Sequence, residues 1–300
     1  TRWPAGRLPA AAADASTDAA ADAGEHGAPA SPAADPRALA LNHGSRILLE
    51  SLQAWPELGA PIRHIHVSQR GRAGRTVIDH TDFGVPELGT VHTYPRVQAA
   101  FARALAAAGV TLREGAATIA GQDAHGVQVV QDGRSWRTAL AVRAEGSQEH
   151  AAPTVHRDYG QHAVLGLVRA GRPAQGWAWE RFTRQGPLAL LPVRATAHDA
   201  GDLYSMVWCC APARAAELQT LDEAAFAAAL ADGFGQRLGA LQTAGPRRVF
   251  PLAMRWQREV VRGRCVAIGN AAQTLHPVAG QGLNLGLRDA ARLAHGLAPS

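Results

Sequence analysis

The sequence predicts an α/β protein that combines a parallel, ligand-binding sheet with a mostly antiparallel one. Cys265–Ile268 is a short apolar run, which is typical of a buried strand of a parallel sheet. Leu283, Leu287, Ala290 and Ala294 follow at helical spacing, so we expect a helix there. Strand-like segments fill the chain from about 158 to 209, and they predict an antiparallel sheet with one buried face.

Composition bounds the class of protein. The 300 residues are 47% hydrophobic, which allows one large or two modest domains with a substantial core. The formal net charge of +5 is spread thinly and has no basic run with interleaved aromatic residues, so we expect no nucleic-acid partner. Cys209, Cys210 and Cys265 lack metal-ligand spacing, and we expect no metal. No apolar run approaches a membrane span, and the cysteine usage favours the cytoplasm.

The first third of the chain contains a low-complexity segment, a helix and a hairpin. Residues 1–35 are rich in Ala, Asp, Pro and Gly and predict a disordered tail or surface loop. Ser45 is a candidate N-cap for a helix that ends near Trp55-Pro56. The segments 61–67 and 75–79 alternate apolar and polar residues and predict a β-hairpin.

The middle of the chain supplies a second helix and several strands. Val97, Phe101 and Leu105 have helical spacing, which predicts a helix from Tyr94 to Ala108 that ends at Gly109. Short strands are expected at 110–112, 127–130 and 136–140, and another apolar strand leads to Glu145-Gly146.

The Gly-rich segment after Ile268 predicts a ligand cradle. Gly269-Asn270 places a polar group at the carboxyl end of a strand, where ligands of open α/β sheets bind. Gly280-Gln281-Gly282 allows close approach of the backbone, and the helix N-terminus that follows favours an anionic or electron-rich ligand atom. The alternative is a Gly-rich turn that binds nothing.

The same segment resembles a known flavin-binding motif. Gly269-Asn270-Ala271-Ala272, with Pro277, Gly280-Gln281-Gly282 and Asn284, is similar to the second flavin motif of the FAD-dependent aromatic hydroxylases of the p-hydroxybenzoate hydroxylase type. That motif usually has Gly-Asp followed three residues later by His, whereas this chain has Asn270, Gln273 and then His276. This variant resembles the UbiH-type ubiquinone-biosynthesis hydroxylases, the 2-octaprenyl-6-methoxyphenol hydroxylases.

The resemblance spans about 35 to 299 and implies a domain organisation. It implies an FAD/NAD(P)-binding Rossmann-like domain at 36–60, 90–153 and 255–300, with an inserted, mostly antiparallel β-sheet substrate domain at 61–89 and 154–254. The Gly-x-Gly-x-x-Gly unit that opens this family does not occur in the 300 residues. We expect a piece of a longer chain, clipped at both ends.

The resemblance also implies the site residues. The expected cofactor contacts are Arg37, Glu145, Gly146, Gly269, Asn270, Pro277, Gly280, Gln281, Gly282, Leu283 and Asn284. The expected substrate contacts are Phe182, Leu190 and Pro192. His276 and Pro277 are the expected catalytic residues, which shape the flavin face, and His276 is a candidate base for the phenol. Purely structural roles for Arg37, Glu145 and His276 remain open, and Arg181 is expected to pair with a carboxylate such as Glu180.

The implied reaction uses FAD, with NAD(P)H as co-substrate. NAD(P)H reduces the flavin, O2 adds at C4a, and the hydroperoxide transfers OH to a polyprenylated methoxyphenol. A prenyl tail implies peripheral contact with the inner membrane, and a quinone-biosynthesis complex is a further candidate partner. Two alternatives stay open: a relative that acts on another ring position or phenol, and a non-catalytic scaffold subunit of such a complex.

Overall fold

A computed structural model of the protein describes residues 15–16, 37–146, 154–194, 196, 200–276 and 280–298. The predicted tail over 1–35 lies outside the described residues, apart from 15–16, and so does Pro277.

The elements follow one another in this order. The strands are β1 (Ala15–Ser16), β2 (Ala38–Asn42), β3 (Ala60–Ile62), β4 (His64–Gln69), β5 (Arg75–Asp79), β6 (Gly89–Thr93), β7 (Leu112–Arg113), β8 (Thr118–Gln122), β9 (Val127–Gln131), β10 (Arg134–Thr138), β11 (Ala141–Arg143), β12 (Thr154–Ala170), β13 (Trp177–Phe182), β14 (Pro187–Pro192), β15 (Leu203–Cys210), β16 (Leu241–Thr243), β17 (Arg248–Gln257), β18 (Val261–Arg262), β19 (Cys265–Ala267) and β20 (Gln273–Thr274). The helices are α1 (His43–Ser51), α2 (Tyr94–Ala107), α3 (Pro212–Thr220), α4 (Glu223–Phe234) and α5 (Gly282–Leu297).

A nine-stranded sheet dominates the described chain. Its order is β20-β17-β12-β15-β14-β13-β4-β5, with β16 beside β12. The β4–β5 pair is the hairpin that alternation predicted. The β13–β4 pair is parallel, whereas the other pairs in this sheet are antiparallel. The predicted antiparallel sheet is therefore confirmed, with one parallel step that the sequence did not indicate.

The main hydrophobic core lies between one face of this sheet and helices α3 and α4. Side chains from β12, β13, β14 and β15 meet Leu218, Phe226 and Leu230 of the two helices. Full burial of one such side chain contributes about 1.5–3 kcal/mol, so this face supplies much of the stability.

Four smaller sheets accompany the large sheet among the described residues, and two of them, β2-β6-β3 and β11-β19-β18, contain strands of the predicted site. In one of them β6 pairs antiparallel with β2 and with β3. In the other β11 and β19 pair in parallel, with Ala141 opposite Cys265 and Arg143 opposite Ala267. The buried parallel strand predicted at Cys265–Ile268 is therefore confirmed. Because the two strands run in the same direction, Glu145 and Gly269 follow them at one edge of this sheet.

The first helix begins and ends earlier than the sequence predicted. Its N-cap is Asn42, whose side-chain oxygen accepts a hydrogen bond from the Ser45 N–H at 2.9 Å, so the predicted cap at Ser45 was wrong. The helix ends at Ser51 rather than near Trp55, because Gln53 has a φ of 55°, outside the range of a right-handed helix. For α2, Gly109 follows the helix with a φ of 67°, and the predicted end is confirmed.

Candidate functional site

The predicted cradle starts at a left-handed glycine. Gly269 follows β19 with a φ of 57° and opens a short 3₁₀ helix, Gly269–Ala271. Its N–H donates to the Asp289 carboxylate of α5 at 3.3 Å. A Cβ built on Gly286 would lie 3.2 Å from the Gly269 Cα, so two glycines let α5 approach the turn closely. Asn270 is exposed at the carboxyl end of β19, where the sequence placed a polar ligand contact.

The N-terminus of α5 faces open space. Gly280 has a φ of 58°, and a Cβ built on it would lie 3.7 Å from the Ala40 Cβ of β2. Among the described residues, a Cβ built on Gly282 would meet nothing within 4 Å and no side chain caps the helix. The first N–H groups of a helix have no partner within the helix. The N–H groups of Gly282 and Leu283 are therefore placed to bind an acceptor atom of a ligand.

Asn284 holds this helix end in place. Its Nδ2 donates to the carbonyls of Ala40 at 2.8 Å and Gly280 at 3.1 Å. Its Oδ1 accepts from the Asn42 N–H at 2.9 Å and from the Ser45 Oγ at 2.7 Å. These four bonds fill the hydrogen-bonding capacity of the amide. The Asn284 side chain therefore joins α5 to β2 and α1, and at this position only the backbone N–H can serve as the predicted cofactor contact.

The second predicted strand end lies beside the cradle turn. The Ile268 N–H donates to the Arg143 carbonyl at 2.9 Å, which brings the ends of β11 and β19 together. Glu145 accepts a hydrogen bond from Arg143 Nε at 3.0 Å, and Gly146 has a φ of 91°. The Glu145 carboxylate is thus engaged by its own strand.

Arg37 lies directly before β2, the strand to which Asn284 is bonded. Its guanidinium carbon lies 3.9 Å from the centroid of the Tyr94 ring, a cation–π contact, and its carbonyl accepts from the Tyr94 N–H. This contact holds the guanidinium group itself over the Tyr94 ring. A phosphate contact at Arg37 stays a prediction.

His276 connects the cradle segment to the large sheet. Its Nε2 lies 3.2 Å from the Gln161 Oε1 of β12, and its ring packs edge-on to Tyr159 at 4.8 Å between ring centroids. Two extra residues in β12, between Asp158 and Gln161, create the bulge that carries Tyr159. Burial lowers the pKa of His276, which favours the neutral imidazole at neutral pH.

The face of the large sheet opposite α3 and α4 carries two rows of mostly half-buried side chains, in which Ala163 and Cys209 are buried. Ala178 packs with Ile62 and Val91, next to Ala40, in a separate hydrophobic cluster. Gln161, farther along the sheet, contacts His276. Between these two contacts lie two rows of side chains that we call the open face, namely Val67, Glu180, Ala189, Val207 and Leu165, followed by Phe182, Pro187, Cys209, Ala163 and Phe250. Most of these side chains are apolar and half-buried.

The predicted substrate residues fall on both sides of the sheet. Phe182 belongs to the open face and is 40% exposed. Leu190 is fully buried in the core under α3 and α4, and Pro192 has the same side-chain direction two residues later. Leu190 therefore does not line the open face, because strand alternation puts Ala189 there instead, and Leu191 packs against the cluster of Ala178. The sequence missed Glu180, Val207 and Leu165, although alternation from Phe182 could have identified Glu180.

A cleft of about 530 Å³ lies beside the cradle turn, between β17, β19 and α5. It is lined by Trp256, Val266, Leu275 and Leu293, among others, and by no residue that was predicted to bind FAD. The cofactor assignment therefore depends on the cradle and not on this cleft.

Two further properties concern metals and membranes. Within the described ranges, no cluster of three or more His, Cys, Asp or Glu side chains could hold a metal ion. In the same part of the chain, no helix is long and apolar enough to cross a membrane.

Comparison with known proteins gives one family. The family described as "FAD binding domain" matches residues 30–300. The chain is 32% identical over 281 residues to the 3-demethoxyubiquinol 3-hydroxylase of Escherichia coli, a match that covers 88% of this chain and 70% of that protein. It is 31% identical over 205 residues to the human mitochondrial ubiquinone biosynthesis monooxygenase COQ6, a match that covers 55% of this chain and 42% of that one.

Solved structures show the same fold. PqsL of Pseudomonas aeruginosa, a probable FAD-dependent monooxygenase, superposes with a TM-score of 0.70 at 16% identity, over 86% of this chain and 75% of that one. The chain thus spans between about two fifths and three quarters of the length of the proteins compared here.

Proposed function

The chain belongs to the FAD-binding-domain family, and from that premise we propose that it provides the flavin cradle and the substrate sheet of an FAD-dependent aromatic-ring hydroxylase. The proposed substrate is a polyprenylated phenol of ubiquinone biosynthesis, with NAD(P)H and O2 as co-substrates. The names of the relatives from Escherichia coli and human support this substrate class.

One observation carries the proposal: the cradle segment is connected to the large sheet at two places, one on each side of the open face. Ala40, next to Gly280, packs in the cluster that contains Ala178, and His276 contacts Gln161. Between the two contacts the sheet presents apolar, half-buried side chains. We place the aromatic ring of the substrate between the open face and the cradle in this proposal, because the apolar side chains there would exclude water from the reacting atoms.

The cradle residues fit the ring end of a flavin. Gly269 and Gly280, both with a positive φ, would let the backbone approach the flavin closely. A Cβ built on Gly282 meets no described atom within 4 Å, which leaves room for the flavin there. The N–H groups of Gly282 and Leu283, together with the helix dipole, would stabilise negative charge on the flavin's pyrimidine edge. When bound, FAD supplies the redox chemistry and the activation of O2. Asn270, Glu145-Gly146 and Arg37 are the proposed contacts toward the ribityl chain and phosphates.

His276 is the proposed boundary of the ring site on the β12 side. Its contact with Gln161 fixes the imidazole, and burial keeps the ring neutral at neutral pH. A neutral imidazole can accept a proton from a phenol hydroxyl, so a base role stays part of the proposal. Pro277, which lies outside the described residues, is proposed beside it.

Two finer points belong to the same proposal. The prenyl tail of the substrate would remain in a membrane, which implies peripheral contact there and makes a quinone-biosynthesis complex a reasonable partner. The ring position is open between the 2-octaprenyl-6-methoxyphenol reaction, which the motif variant favours, and 3-hydroxylation, which the Escherichia coli relative's name favours.

Flavin titration and product analysis test the proposal. We expect the protein to bind FAD, measured by flavin fluorescence, and to convert a short-chain prenylated methoxyphenol with NAD(P)H and O2 into a product with one added oxygen. NMR of that product identifies the ring position. Failure to bind FAD would favour the scaffold alternative.

A further inference from the structure

Glu180 is the one carboxylate on the open face. It lies in β13 between Val67 of β4 and Ala189 of β14, and Val207 and Leu165 continue the row. It follows Ala178 by two residues on the same face, which is roughly 7 Å along the strand. Ala178 belongs to the cluster that reaches Ala40 beside the cradle. Glu180 is therefore the next side chain of β13 on this face after the cluster that reaches Ala40.

This carboxylate is half-buried and has no counterion within reach among the described residues. Burial raises its pKa, and no hydrogen bond or charge acts in the opposite direction. The predicted ion pair with Arg181 was wrong, because adjacent strand residues point to opposite faces and Arg181 lies beside Gly235 on the helical side. A half-buried carboxylate without a counterion costs stability, and such groups concentrate at functional sites.

The other ionisable groups on the same face do not neutralise it. Cys209 lies in the next row, and burial together with the charges of Cys210 and Glu180 raises the pKa of its thiol to about 12. Arg248 of β17 is the last residue in the row of Glu180. It lies four strands from Glu180, which is roughly 19 Å at the usual strand spacing. His276 lies at the far boundary, against Gln161. Among the described residues, no cation on this face is therefore close enough to pair with the Glu180 carboxylate, which can accept a hydrogen bond from a ligand.

We propose that the Glu180 carboxylate accepts the hydrogen bond of the substrate's phenol hydroxyl and thereby fixes the aromatic ring between the open face and the cradle. This assignment rests on the proposed function. A phenol O–H that donates to a carboxylate makes a short, charge-assisted bond. The bond also shifts electron density onto the ring, which an electrophilic hydroxylation requires. The apolar neighbours Val207 and Leu165 would contact the ring face.

Binding of a short-chain prenylated methoxyphenol to the FAD-loaded protein tests the assignment. The variants are Glu180→Ala, Glu180→Gln and, as a matched control, Glu259→Gln, which changes an exposed carboxylate. FAD affinity is measured first and should be the same in all four proteins, because Glu180 does not touch the cradle. The phenol should bind about 10-fold or more weakly to Glu180→Ala, the usual size for a lost bond to a charged group. Glu259→Gln should match wild type.

The pH dependence separates Glu180→Gln from wild type. Phenol binding to wild type should weaken as the pH falls through the raised pKa of Glu180, because the protonated carboxyl is a poorer acceptor. Glu180→Gln keeps a neutral acceptor and should lose this dependence. Its thermal midpoint should exceed that of wild type at pH 8, since a carboxyl with a raised pKa destabilises the folded protein once ionised.

Three outcomes contradict the assignment. Equal phenol affinity and equal pH dependence in wild type and Glu180→Ala would overturn the role of Glu180 but leave the proposed function standing. A lower thermal midpoint with loss of FAD binding in both variants would show a structural role instead. Wild-type protein that binds FAD but no phenol would contradict the proposed substrate and, with it, the role of Glu180.

Discussion

At the residue scale, Asn284 gives the sharpest stability prediction. Asn284→Ala removes four hydrogen bonds and leaves the Asn42 N–H and the Ala40 carbonyl without this partner. We expect a loss of about 2–4 kcal/mol in the free energy of unfolding, measured by urea denaturation. Asn270→Ala is the control, because Asn270 is exposed, and should change stability by less than about 0.5 kcal/mol. Equal effects of the two variants would contradict the structural role of Asn284.

The burial of His92 leads to a prediction of how stability depends on pH. It is 1% exposed and packs edge-on to Trp55, and burial lowers the pKa to about 4, against a weaker opposing contribution from the Glu57 backbone. Below pH 6.5 the unfolded chain binds a proton that the folded chain does not bind until about pH 4. Stability should therefore fall by about 3 kcal/mol between these pH values.

Denaturant unfolding at pH 7 and pH 5 measures this effect. His92→Phe keeps an aromatic ring against Trp55, and it should lose less stability than wild type as the pH falls. His125→Gln changes an exposed histidine and should leave it unchanged. If His92→Phe loses as much unfolding free energy between pH 7 and pH 5 as wild type, other titratable groups cause the loss.

Single residues also show what the sequence could and could not give. Gly269 and Gly280 were identified from the Gly-rich pattern and the family resemblance, and their φ values of 57° and 58° are ones that glycine adopts readily, while their cofactor contacts stay predictions. Leu190 was misplaced because GPLALLP has apolar residues at every position, so the sequence does not reveal which face is buried. Glu180 was interpreted as an ion-pair partner because a neighbouring arginine is visible in the sequence, whereas side-chain direction is not.

At the element scale, the approach of α5 to the cradle turn is a packing constraint. Gly286→Ala would place a Cβ 3.2 Å from Gly269 and push the helix N-terminus away from the turn. We expect weaker FAD binding, by about 10-fold if the shift costs about 1.4 kcal/mol. Gly296→Ala is the matched control, because a Cβ there meets nothing within 4 Å. It should stabilise the helix by up to about 1 kcal/mol and leave FAD affinity unchanged.

Elements were predicted well where a local signal ends them. Gly109 marked the end of α2, and the charged Gly-rich turn after Gln69 marked the β4–β5 hairpin. The start of α1 was ambiguous because Asn42 and Ser45 are both good caps three residues apart, and the sequence cannot say which one accepts and which one donates.

At the scale of the whole molecule, the two halves have unequal cores. The large sheet has a broad core under α3 and α4, whereas three alanines, Ala267, Ala271 and Ala272, form the cluster at the cradle turn. We expect slow hydrogen exchange in β12 and β15 and faster exchange in β11 and β19 without FAD. FAD should slow exchange in β19 and the start of α5, measured by mass spectrometry, and not in β12. Uniform exchange across both sheets would contradict this division.

Pairing between distant segments was the least predictable level. The parallel step from β13 to β4 joins residues more than a hundred positions apart, and its register depends on which face each strand buries. The opposition of the open face and the cradle depends on the same long-range pairing. No local pattern encodes it.

The Asn284 contacts also bear on the order in which the chain is made. They join residues 239 to 244 positions apart, so β2 and α1 leave the ribosome long before their partner does. All strands of the large sheet, β20 included, precede Asn284 in the chain and can pair before it emerges. The cradle is consequently a late product of translation, and until α5 emerges the growing chain has a surface at β2 that chaperones can bind.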